Sequence, residues 1–228
     1  MNKDYFPIVV IGAGETAAIA HEYFTADSPY TVAAFSVERP YLKDTEFKGL
    51  PVVAFDELEH CYPPGEFGAF VAISSTKLNR IRQRLYLATK QKGYQCVSYV
   101  SSRAFVWHDA QIGNNCFIFE NNTIQPFVKI GDNVILWSGN HIGHNSIIHD
   151  HCFIASQCVI SGFCEIGENC FLGVNSTVIN NITVAKDCFI GASALIQKNT
   201  QTGEVYQSKS TPAAKANAYR LFKLDHSA

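Results

Sequence analysis

The sequence carries little charge of either sign and contains no long apolar run. Charged residues make up 17% of the 228 residues, and the formal net charge is −2. So small a net charge offers no electrostatic attraction for nucleic acid or for an acidic membrane surface. A membrane-spanning helix needs about 18 or more consecutive apolar residues, which the chain lacks. The segment MNKDYFPIVVIGAG has too short an apolar run for a signal peptide. We therefore expect a soluble cytoplasmic protein without nucleic-acid or membrane partners.

Cys-x-x-Cys pairs are also absent, although the chain has eight cysteines. Such pairs are typical of zinc sites and of redox-active thiols, so their absence argues against both. Six of the cysteines are separated by multiples of six residues, namely Cys116, Cys152, Cys158, Cys164, Cys170 and Cys188. Because a reduced cysteine is a small apolar side chain, this spacing predicts core residues rather than disulfides or metal ligands.

The same interval of six governs the aliphatic residues of the C-terminal half. From Val106 to Ile196, sixteen successive positions six residues apart hold only Val, Ile or Leu. A mostly small residue precedes each of them by two positions, and Gly often follows. A period of six does not match the 3.6-residue period of an α-helix. Each hexad is instead typical of a short strand plus a tight turn, and three hexads close one triangular coil. The pattern predicts a hexapeptide-repeat parallel β-helix over residues 101–200.

Outward-facing residues on one face of this β-helix form an apolar stripe. They recur every 18 residues as Phe117, Ile135, Phe153, Phe171 and Phe189. A continuous apolar stripe on a soluble protein needs a cover. A C-terminal helix could supply it. We favour a homo-oligomer interface, and a trimer would match the three-sided prism.

The N-terminal hundred residues have the pattern of a small α/β domain. The segment FPIVVIGAGE at residues 6–15 reads as a buried strand that runs into a glycine turn and then a helix. Gly12, Gly14 and Ala17 form a GxGxxA motif in the strand–turn–helix context that the motif requires. Further elements are predicted as strands at Tyr30–Val37, Ala69–Ser74 and Gln95–Tyr99 and as a basic helix from about Lys77 to Lys92. Together they predict a Rossmann-like domain over residues 1–100, with a ligand crevice at the carboxyl ends of its strands.

The glycine turn has three interpretations. Glu38, at the end of the second strand, could bind a ribose hydroxyl as in an NAD site, but only one mononucleotide-binding half is present. A nucleotide-linked sugar, with its pyrophosphate held by backbone N–H groups near Gly12–Thr16, fits better. The third interpretation is that the glycines only shape the turn.

Four of the eight histidines lie within one short segment, NHIGHNSIIHDHCF, as His141, His144, His149 and His151. Acyl transfer from a thioester needs a general base near neutral pH, which histidine suits. We favour His144, because it falls at an outer turn position and Gly162, one coil above it, leaves space for a thioester. Asn145 could orient its ring, and His149 with Asp150 is the second candidate. These histidines could instead be ordinary exposed turn residues, or they could bind zinc between subunits as in γ-class carbonic anhydrases.

The chain resembles the bacterial left-handed β-helix (hexapeptide-repeat) sugar acetyltransferases. It is most similar in plan to the perosamine and bacillosamine-precursor N-acetyltransferases, to which the sialic acid O-acetyltransferases are related. The resemblance spans essentially the whole chain and rests on the segments IGAGETA, NHIGHNS, SGFCEIGENCFLGVNSTV and the trailing TPA. It implies a left-handed coil, a homotrimer, acetyl-CoA as co-substrate and no metal. It also implies that coenzyme A lies along the β-helix between neighbouring subunits.

The resemblance also assigns roles to individual residues. His144 would take a proton from the sugar amine as the amine attacks the thioester, with Asn145 beside it. The implied coenzyme A groove, with oxyanion contacts from backbone amides, contains Phe153, Gly162, Val174 and Ala192. The implied nucleotide-sugar contacts are Gly14, Glu15, Thr16, Ser36, Glu38 and Ser75. Many members have an acidic residue where this chain has Asn145, and an Asp pair where it has Ser36-Val37-Glu38, which leaves the nucleotide unassigned.

The resemblance therefore implies an acetyl-CoA-dependent N-acetyltransferase that acts on a nucleotide-linked amino sugar. A 4-amino-4,6-dideoxy sugar for lipopolysaccharide or other bacterial surface glycan synthesis is the expected substrate. Two alternatives stay open, an O-acetyltransferase acting on sialic acid or a related sugar and a non-enzymatic nucleotide-binding scaffold. The tail, residues 201–228, is expected to contain a short helix over Ala213–Leu224.

Overall fold

The computed structural model describes residues 7–224, and its N-terminal part is a five-stranded sheet. The strands are β1 (Ile8–Ile11), β2 (Val32–Val37), β3 (Glu46–Phe47), β4 (Leu50–Ala54) and β5 (Gly68–Val71). Their order is β3-β4-β2-β1-β5, and all pairs are parallel except β3 with β4. The helices of this part are α1 (Glu15–Asp27), α2 (Leu58–Cys61) and α3 (Arg80–Gln91). Strand β1 reads IVVI and is buried along its whole length, as expected for the inner strand of a parallel sheet with both faces covered.

Two features of this sheet were not predicted. Strands β3 and β4 form a hairpin whose turn contains Lys48 and Gly49, both with positive φ. Helix α3 begins at Arg80 rather than near Lys77, because Lys77, Leu78 and Asn79 all adopt left-handed backbone conformations. A right-handed helix cannot include such residues.

The predicted strand at Gln95–Tyr99 is also different in the structure. Cys96 makes a single parallel bridge to Ala69. The regular strand begins at Tyr99 and pairs with Phe117–Ile118, so it belongs to the β-helix. Residues 1–6 of the predicted first domain and residues 225–228 of the predicted tail lie outside the described residues.

The C-terminal half is the expected left-handed parallel β-helix. Its first face contains Phe105–Val106, Thr123–Ile124, His141–Ile142, Val159–Ile160, Thr177–Val178 and Leu195–Ile196. Its second face contains Gln111–Ile112, Lys129–Ile130, Ile147–Ile148, Glu165–Ile166 and Thr183–Val184. Its third face contains Tyr99–Val100, Phe117–Ile118, Ile135–Leu136, Phe153–Ile154, Phe171–Leu172, Phe189–Ile190 and Val205–Tyr206. The paired residues of the first face, such as Thr123 and His141, are 18 apart in sequence, so one coil is three hexads.

The interior of the coil is filled by the repeated aliphatic residues. From Ile118 to Ile196 each of them is at most 4% exposed. Replacing one of these isoleucines by alanine would cost about 2–5 kcal/mol. The six regularly spaced cysteines are free and buried beside them, and burial raises the pKa of the Cys116 thiol to about 12. All six therefore serve as core residues, as their spacing predicted.

Helix α3 fastens the N-terminal unit to the corner between the second and third faces. The contacts of α3 and of Asn79, which precedes it, follow successive coils. Asn79 Nδ2 donates to the carbonyls of Asn169 and Cys170. Arg82 Nη2 donates to those of His151 and Cys152, and the Tyr86 hydroxyl donates to Asp132. Arg82 is completely buried, and burial lowers its pKa to about 10. Both hydrogen bonds come from Nη2, which bridges the carbonyls of two consecutive residues, whereas Nε and Nη1 are buried without a partner among the described residues.

The apolar stripe is covered mainly by the N-terminal unit. Phe117, Ile135 and Phe153 pack in one core with residues of the α/β sheet such as Phe70. The expectation that a C-terminal helix or a second copy supplies this cover is therefore wrong for most of the stripe. The repeat shows that this face is apolar, but it does not show which part of the protein packs on it.

Within the predicted C-terminal tail, Val205–Tyr206 still pairs with the β-helix, and residues 207–224 are exposed. Helix α4 covers only Ala218–Phe222, shorter than the predicted Ala213–Leu224, and all five residues are exposed. Between residues 7 and 224, no helix has the length and apolar character needed to cross a membrane.

Candidate functional site

A crevice of about 460 Å³ opens at the carboxyl ends of β1 and β2, as the GxGxxA motif predicted. We call it the strand-end crevice. Gly12 has a φ of 125°, and a β-carbon there would come within 2.8 Å of the Ala72 carbonyl oxygen, so only glycine fits this turn. Gly14 precedes α1 without a side-chain cap, which leaves the first N–H groups of the helix available to an anion.

Two of the predicted contact residues lie on the floor and edge of this crevice. Ser36 is fully buried, and its hydroxyl has no hydrogen-bond partner among the described residues. Glu38 accepts two hydrogen bonds of 2.8 Å from Arg84, and this pairing lowers the pKa of the Glu38 carboxyl. The carboxylate is thus already engaged, which argues against the NAD-type role for Glu38.

Sequence reasoning missed several residues that line the strand-end crevice, namely Tyr41, Lys43, Thr76 and Arg84. Tyr41 and Lys43 lie shortly after the predicted second strand and belong to no sequence motif that would mark them as ligand contacts. Arg84 belongs to the basic helix that the sequence did indicate, but helical spacing alone does not show which of its arginines faces the sheet.

The predicted residues Glu15, Thr16 and Phe153 line a second crevice, the junction crevice. It measures about 150 Å³ and lies between the start of α1 and the third face of the β-helix. Ser74 and Trp137 also line it, and the Trp137 indole nitrogen is buried without a partner among residues 7–224. Ser75 belongs to neither lining, and its carbonyl accepts a hydrogen bond from the Asn79 backbone.

His144 lies at the exposed corner between the first and second faces, which we call the His144 corner. Its backbone N–H donates to the side-chain oxygen of Gln125 at 2.9 Å. Its ring packs edge-on against Phe163, with 5.0 Å between ring centroids. The ring also occupies the space above Gly162, where a β-carbon would come within 2.8 Å of Nε2. The glycine therefore makes room for the imidazole itself.

Asn145 determines which nitrogen of His144 can act as a base. Its side-chain nitrogen lies 3.1 Å from Nδ1 of His144. In this orientation the amide donates to Nδ1, so the neutral ring carries its proton on Nε2. If the amide turns over, its oxygen accepts from the Nδ1 proton and leaves the Nε2 lone pair free. Nε2 can thus serve as a proton acceptor only with the amide oxygen towards the ring.

The other clustered histidines are engaged elsewhere. His149 Nε2 lies 2.7 Å from Glu165, rather than pairing with Asp150. His151 is buried against Asn133 and Tyr86, and burial lowers the pKa of its ring. Among the described residues no three His, Cys, Asp or Glu side chains come together as a metal site would require.

Val174 and Ala192 lie on a different corner from His144, the one between the third and first faces. The hydrogen bond of 2.8 Å from the Ser193 N–H to the Val174 carbonyl shows that they are one coil apart. Val174 is 51% exposed. The two predicted groove residues therefore share a corner, whereas Gly162 lies with His144 and Phe153 lies on the third face.

The position of the N-terminal unit places the two crevices away from His144. It covers most of the third face and one adjoining corner, as the contacts of α3 and the shared core show. The His144 corner is opposite the third face. Both crevices and His144 therefore lie on different sides of the same prism.

These features define a class of protein: a left-handed parallel β-helix with a histidine at one corner and an α/β domain packed on the opposite face. A family model described as the GMPPB C-terminal domain matches residues 95–205, slightly less than half of the chain. Comparison with curated proteins gives no match.

Solved structures extend the comparison to both parts of the chain. A histidine-to-asparagine variant of perosamine N-acetyltransferase from Caulobacter crescentus, in complex with CoA and GDP-perosamine, is 26% identical, with 87% of this chain and 92% of that chain covered and a TM-score of 0.79. The acetyltransferase domain of PglB from Neisseria gonorrhoeae is 23% identical, covers 87% and 95% of the two chains and has a TM-score of 0.77. A complex of that domain with acetyl coenzyme A gives the same TM-score. The resemblance to the hexapeptide-repeat sugar acetyltransferases is confirmed.

Proposed function

We propose that the protein is an acetyl-CoA-dependent N-acetyltransferase that acts on a nucleotide-linked amino sugar. The observation that carries the proposal is the exposed His144 ring, oriented by Asn145 and fitted against Gly162. The perosamine enzyme of the same architecture, crystallised with CoA and GDP-perosamine after replacement of a histidine, supports it. A 4-amino-4,6-dideoxy sugar is the acceptor class that we expect.

The chemistry needs one proton acceptor and no covalent intermediate on the protein. The neutral sugar amine attacks the thioester carbonyl, a C–N bond forms and the C–S bond breaks. Nε2 of His144 takes the proton that the nitrogen loses, and this proton can then pass to the departing coenzyme A thiolate. Acetyl-CoA enters as a co-substrate, and we assign Gly162, beside His144, to its groove. Val174 and Ala192 lie on another corner and would reach the same groove only from a neighbouring copy, whereas Phe153 packs against the α/β sheet.

The nucleotide belongs in the strand-end crevice in this proposal. The first N–H groups of α1 would hold the pyrophosphate near Gly14, Glu15 and Thr16. The unpartnered hydroxyl of Ser36 would hydrogen-bond the nucleoside, since a buried hydroxyl without a partner is costly. Lys43 and the Glu38–Arg84 pair lie at the same rim, whereas Ser75 has no supported contact.

A complete site requires two copies of the chain. The strand-end crevice and His144 are on different sides of one prism, so a sugar held by one N-terminal unit would meet His144 of a neighbour. A homotrimer would meet this requirement, because each copy would place its His144 corner beside the N-terminal unit of one neighbour and would receive the His144 corner of the other.

A thiol-release assay tests the proposal directly. Acetyl-CoA is offered with UDP-, dTDP- and GDP-linked 4-amino sugars and with free sialic acid. We expect turnover on one nucleotide amino sugar, with a product that resists mild alkali as an amide does. Turnover on sialic acid alone, with an alkali-labile product, would instead indicate O-acetylation. No turnover with any acceptor would leave a nucleotide-binding scaffold.

Variants separate the candidate bases. His144→Ala should lower turnover on the order of 10²–10⁴-fold. The matched control is His149→Ala, which removes a neighbouring exposed histidine that is paired with Glu165 and should keep near-normal turnover. The reverse result would make His149 the base.

A further inference from the structure

The His144 corner carries two phenylalanines at a turn position where the other turns carry a polar residue or glycine. Phe127 and Phe163 have φ values of 63° and 57°, in the left-handed region. Residues at the equivalent position of the other turns with positive φ are Asn115, Asn121, Asn133, Gly139, Asn145, His151, Gln157, Asn169, Asn175, Asn181, Asp187 and Ser193. Among the described turns of the coil, only these two use a large apolar side chain.

Neither backbone geometry nor burial explains this choice. The left-handed conformation suits Gly and Asn and is unfavourable for a bulky side chain. Phe127 is 61% exposed and Phe163 is 55% exposed, so neither gains much from packing within its own chain. A strained position with an exposed aromatic side chain, found twice on one corner, indicates a role in binding.

The two phenylalanines flank the candidate base along the axis of the coil. Phe127 is one coil before Asn145, whose N–H donates to the neighbouring Pro126 carbonyl. Phe163 is one coil after it, and its N–H donates to the His144 carbonyl at 2.9 Å. The Phe163 ring already touches the imidazole edge-on. An acceptor whose amine reaches Nε2 of His144 therefore lies beside the Phe163 ring, and Phe127 occupies the same turn position on the coil before Asn145.

We propose that Phe127 and Phe163 are the acceptor-specificity residues, forming an apolar wall beside His144 that receives the methyl carbon of a 6-deoxy amino sugar. This inference rests on the proposed function. In a 4-amino-4,6-dideoxyhexose the methyl carbon is three bonds from the amine nitrogen, so both groups approach the same corner. In a sugar that keeps its 6-hydroxyl, that hydroxyl would lie against the rings without a hydrogen-bond partner.

The test compares two acceptors that differ only at carbon 6, on the same nucleotide, as a 4-amino-4,6-dideoxyhexose and a 4-amino-4-deoxyhexose. Discrimination of this kind by an apolar pocket is about 10- to 100-fold in kcat/KM, so we expect the wild-type protein to prefer the 6-deoxy sugar by that factor. Phe127→Asn and Phe163→Asn should each lower the preference several-fold. Phe163→Leu, which stays apolar, should keep most of it.

The asparagine variants separate binding from folding. Asn is the residue that most other corners use, so Phe→Asn should leave the thermal midpoint unchanged or raise it. Lys48→Asn is the matched control, because Lys48 also has a left-handed φ of 53° but lies in the hairpin of the α/β sheet. It should leave the acceptor preference unaltered.

The outcomes distinguish this inference from the function on which it rests. If no nucleotide amino sugar is acetylated, the proposed function fails. If the sugars are acetylated but both asparagine variants keep the wild-type preference, only the role of the phenylalanines fails. A change of oligomeric state in sedimentation, with the preference unchanged, would likewise overturn it and make the two residues interface contacts.

Discussion

Nε2 of His144 lies so close to Gly162 of the next coil that a β-carbon on Gly162 would be only 2.8 Å away, with the ring carbons at 3.0 and 3.3 Å. The position and tilt of the imidazole therefore depend on the absence of a side chain one coil above it. The missing side chain at Gly162 also explains how an imidazole fits at this corner while the coils keep their regular spacing.

Gly162→Ala should move the imidazole of His144 and so reduce acetyl transfer. A displacement of about 1 Å in a catalytic group can cost on the order of 10²-fold, and we expect a loss of that order in kcat/KM measured by thiol release. The fold should persist, because Gly162 does not have a positive φ. Gly65→Ala is the control, since a β-carbon there meets nothing within 4 Å. An unchanged rate in Gly162→Ala would show that the ring position is not critical.

Asn145→Asp should strengthen His144 as a base. A carboxylate can only accept the Nδ1 proton, so it holds Nε2 free, whereas the amide can present either end. The negative charge also favours the protonated ring, so the acidic limb of the kcat/KM profile should move to higher pH. Aspartate tolerates the φ of 58° at this position. A profile identical to that of the wild type would argue against contact between the two side chains during turnover.

Arg82→Ala should be strongly destabilising. The change removes two charge-assisted hydrogen bonds to the carbonyls of His151 and Cys152 and leaves a cavity where α3 meets the β-helix. We expect a loss of about 3–5 kcal/mol in the free energy of unfolding, measured by urea denaturation. Arg80→Ala on the same helix is the control. Its ion pair with Asp187 is partly exposed, so its removal should cost less than about 1 kcal/mol. Equal losses in the two variants would refute the role of Arg82.

Asp27→Asn should remove part of the acid sensitivity of the fold. Asp27 accepts hydrogen bonds from the Tyr99 hydroxyl at 2.6 Å and the Ser102 N–H at 2.9 Å, which join the end of α1 to the first coil. Hydrogen bonds from Ser102 and Tyr99 lower the pKa of Asp27 to about 2. Because this pKa is lowered on folding, the stabilisation is complete above pH 4 or so and is lost as the pH falls towards 2.

Thermal midpoints measured between pH 6 and pH 2 test this. The wild type should exceed Asp27→Asn near neutral pH, and the difference should close as the pH falls through that window. A difference that stays constant with pH would show that the ionised carboxylate is not what joins the helix to the coil.

The architecture of the C-terminal half could be predicted from the sequence because its cause is local. Each hexad repeats the same requirement for an inward aliphatic residue, from Ile118 to Ile196, and a period of six has one structural solution. The strand-end crevice was likewise predictable, since the positive φ at Gly12 is a local requirement of the turn between β1 and α1. The placement of His144 at an exposed corner below Gly162 follows from the repeat as well, but the space above Gly162 is filled by the imidazole rather than left for a thioester.

The packing of the N-terminal unit on the β-helix could not be predicted from the sequence in this way. That α3 lies along one corner depends on contacts between residues far apart in sequence, such as Tyr86 with Asp132 and Arg82 with Cys152. The sequence showed the stripe containing Phe117 and Phe153 without showing what packs on it. The structure also shows that Glu38 is held by Arg84.

The sequence by itself therefore determined the repeat, the glycine turn and the exposed histidine, which follow from backbone geometry and periodicity over short distances. Only the tertiary structure decided which face the N-terminal unit covers and that its crevices lie opposite His144. The physical reason is that packing of one apolar surface on another is non-directional, so shape and long-range hydrogen bonds select the partner, and neither is visible along the chain.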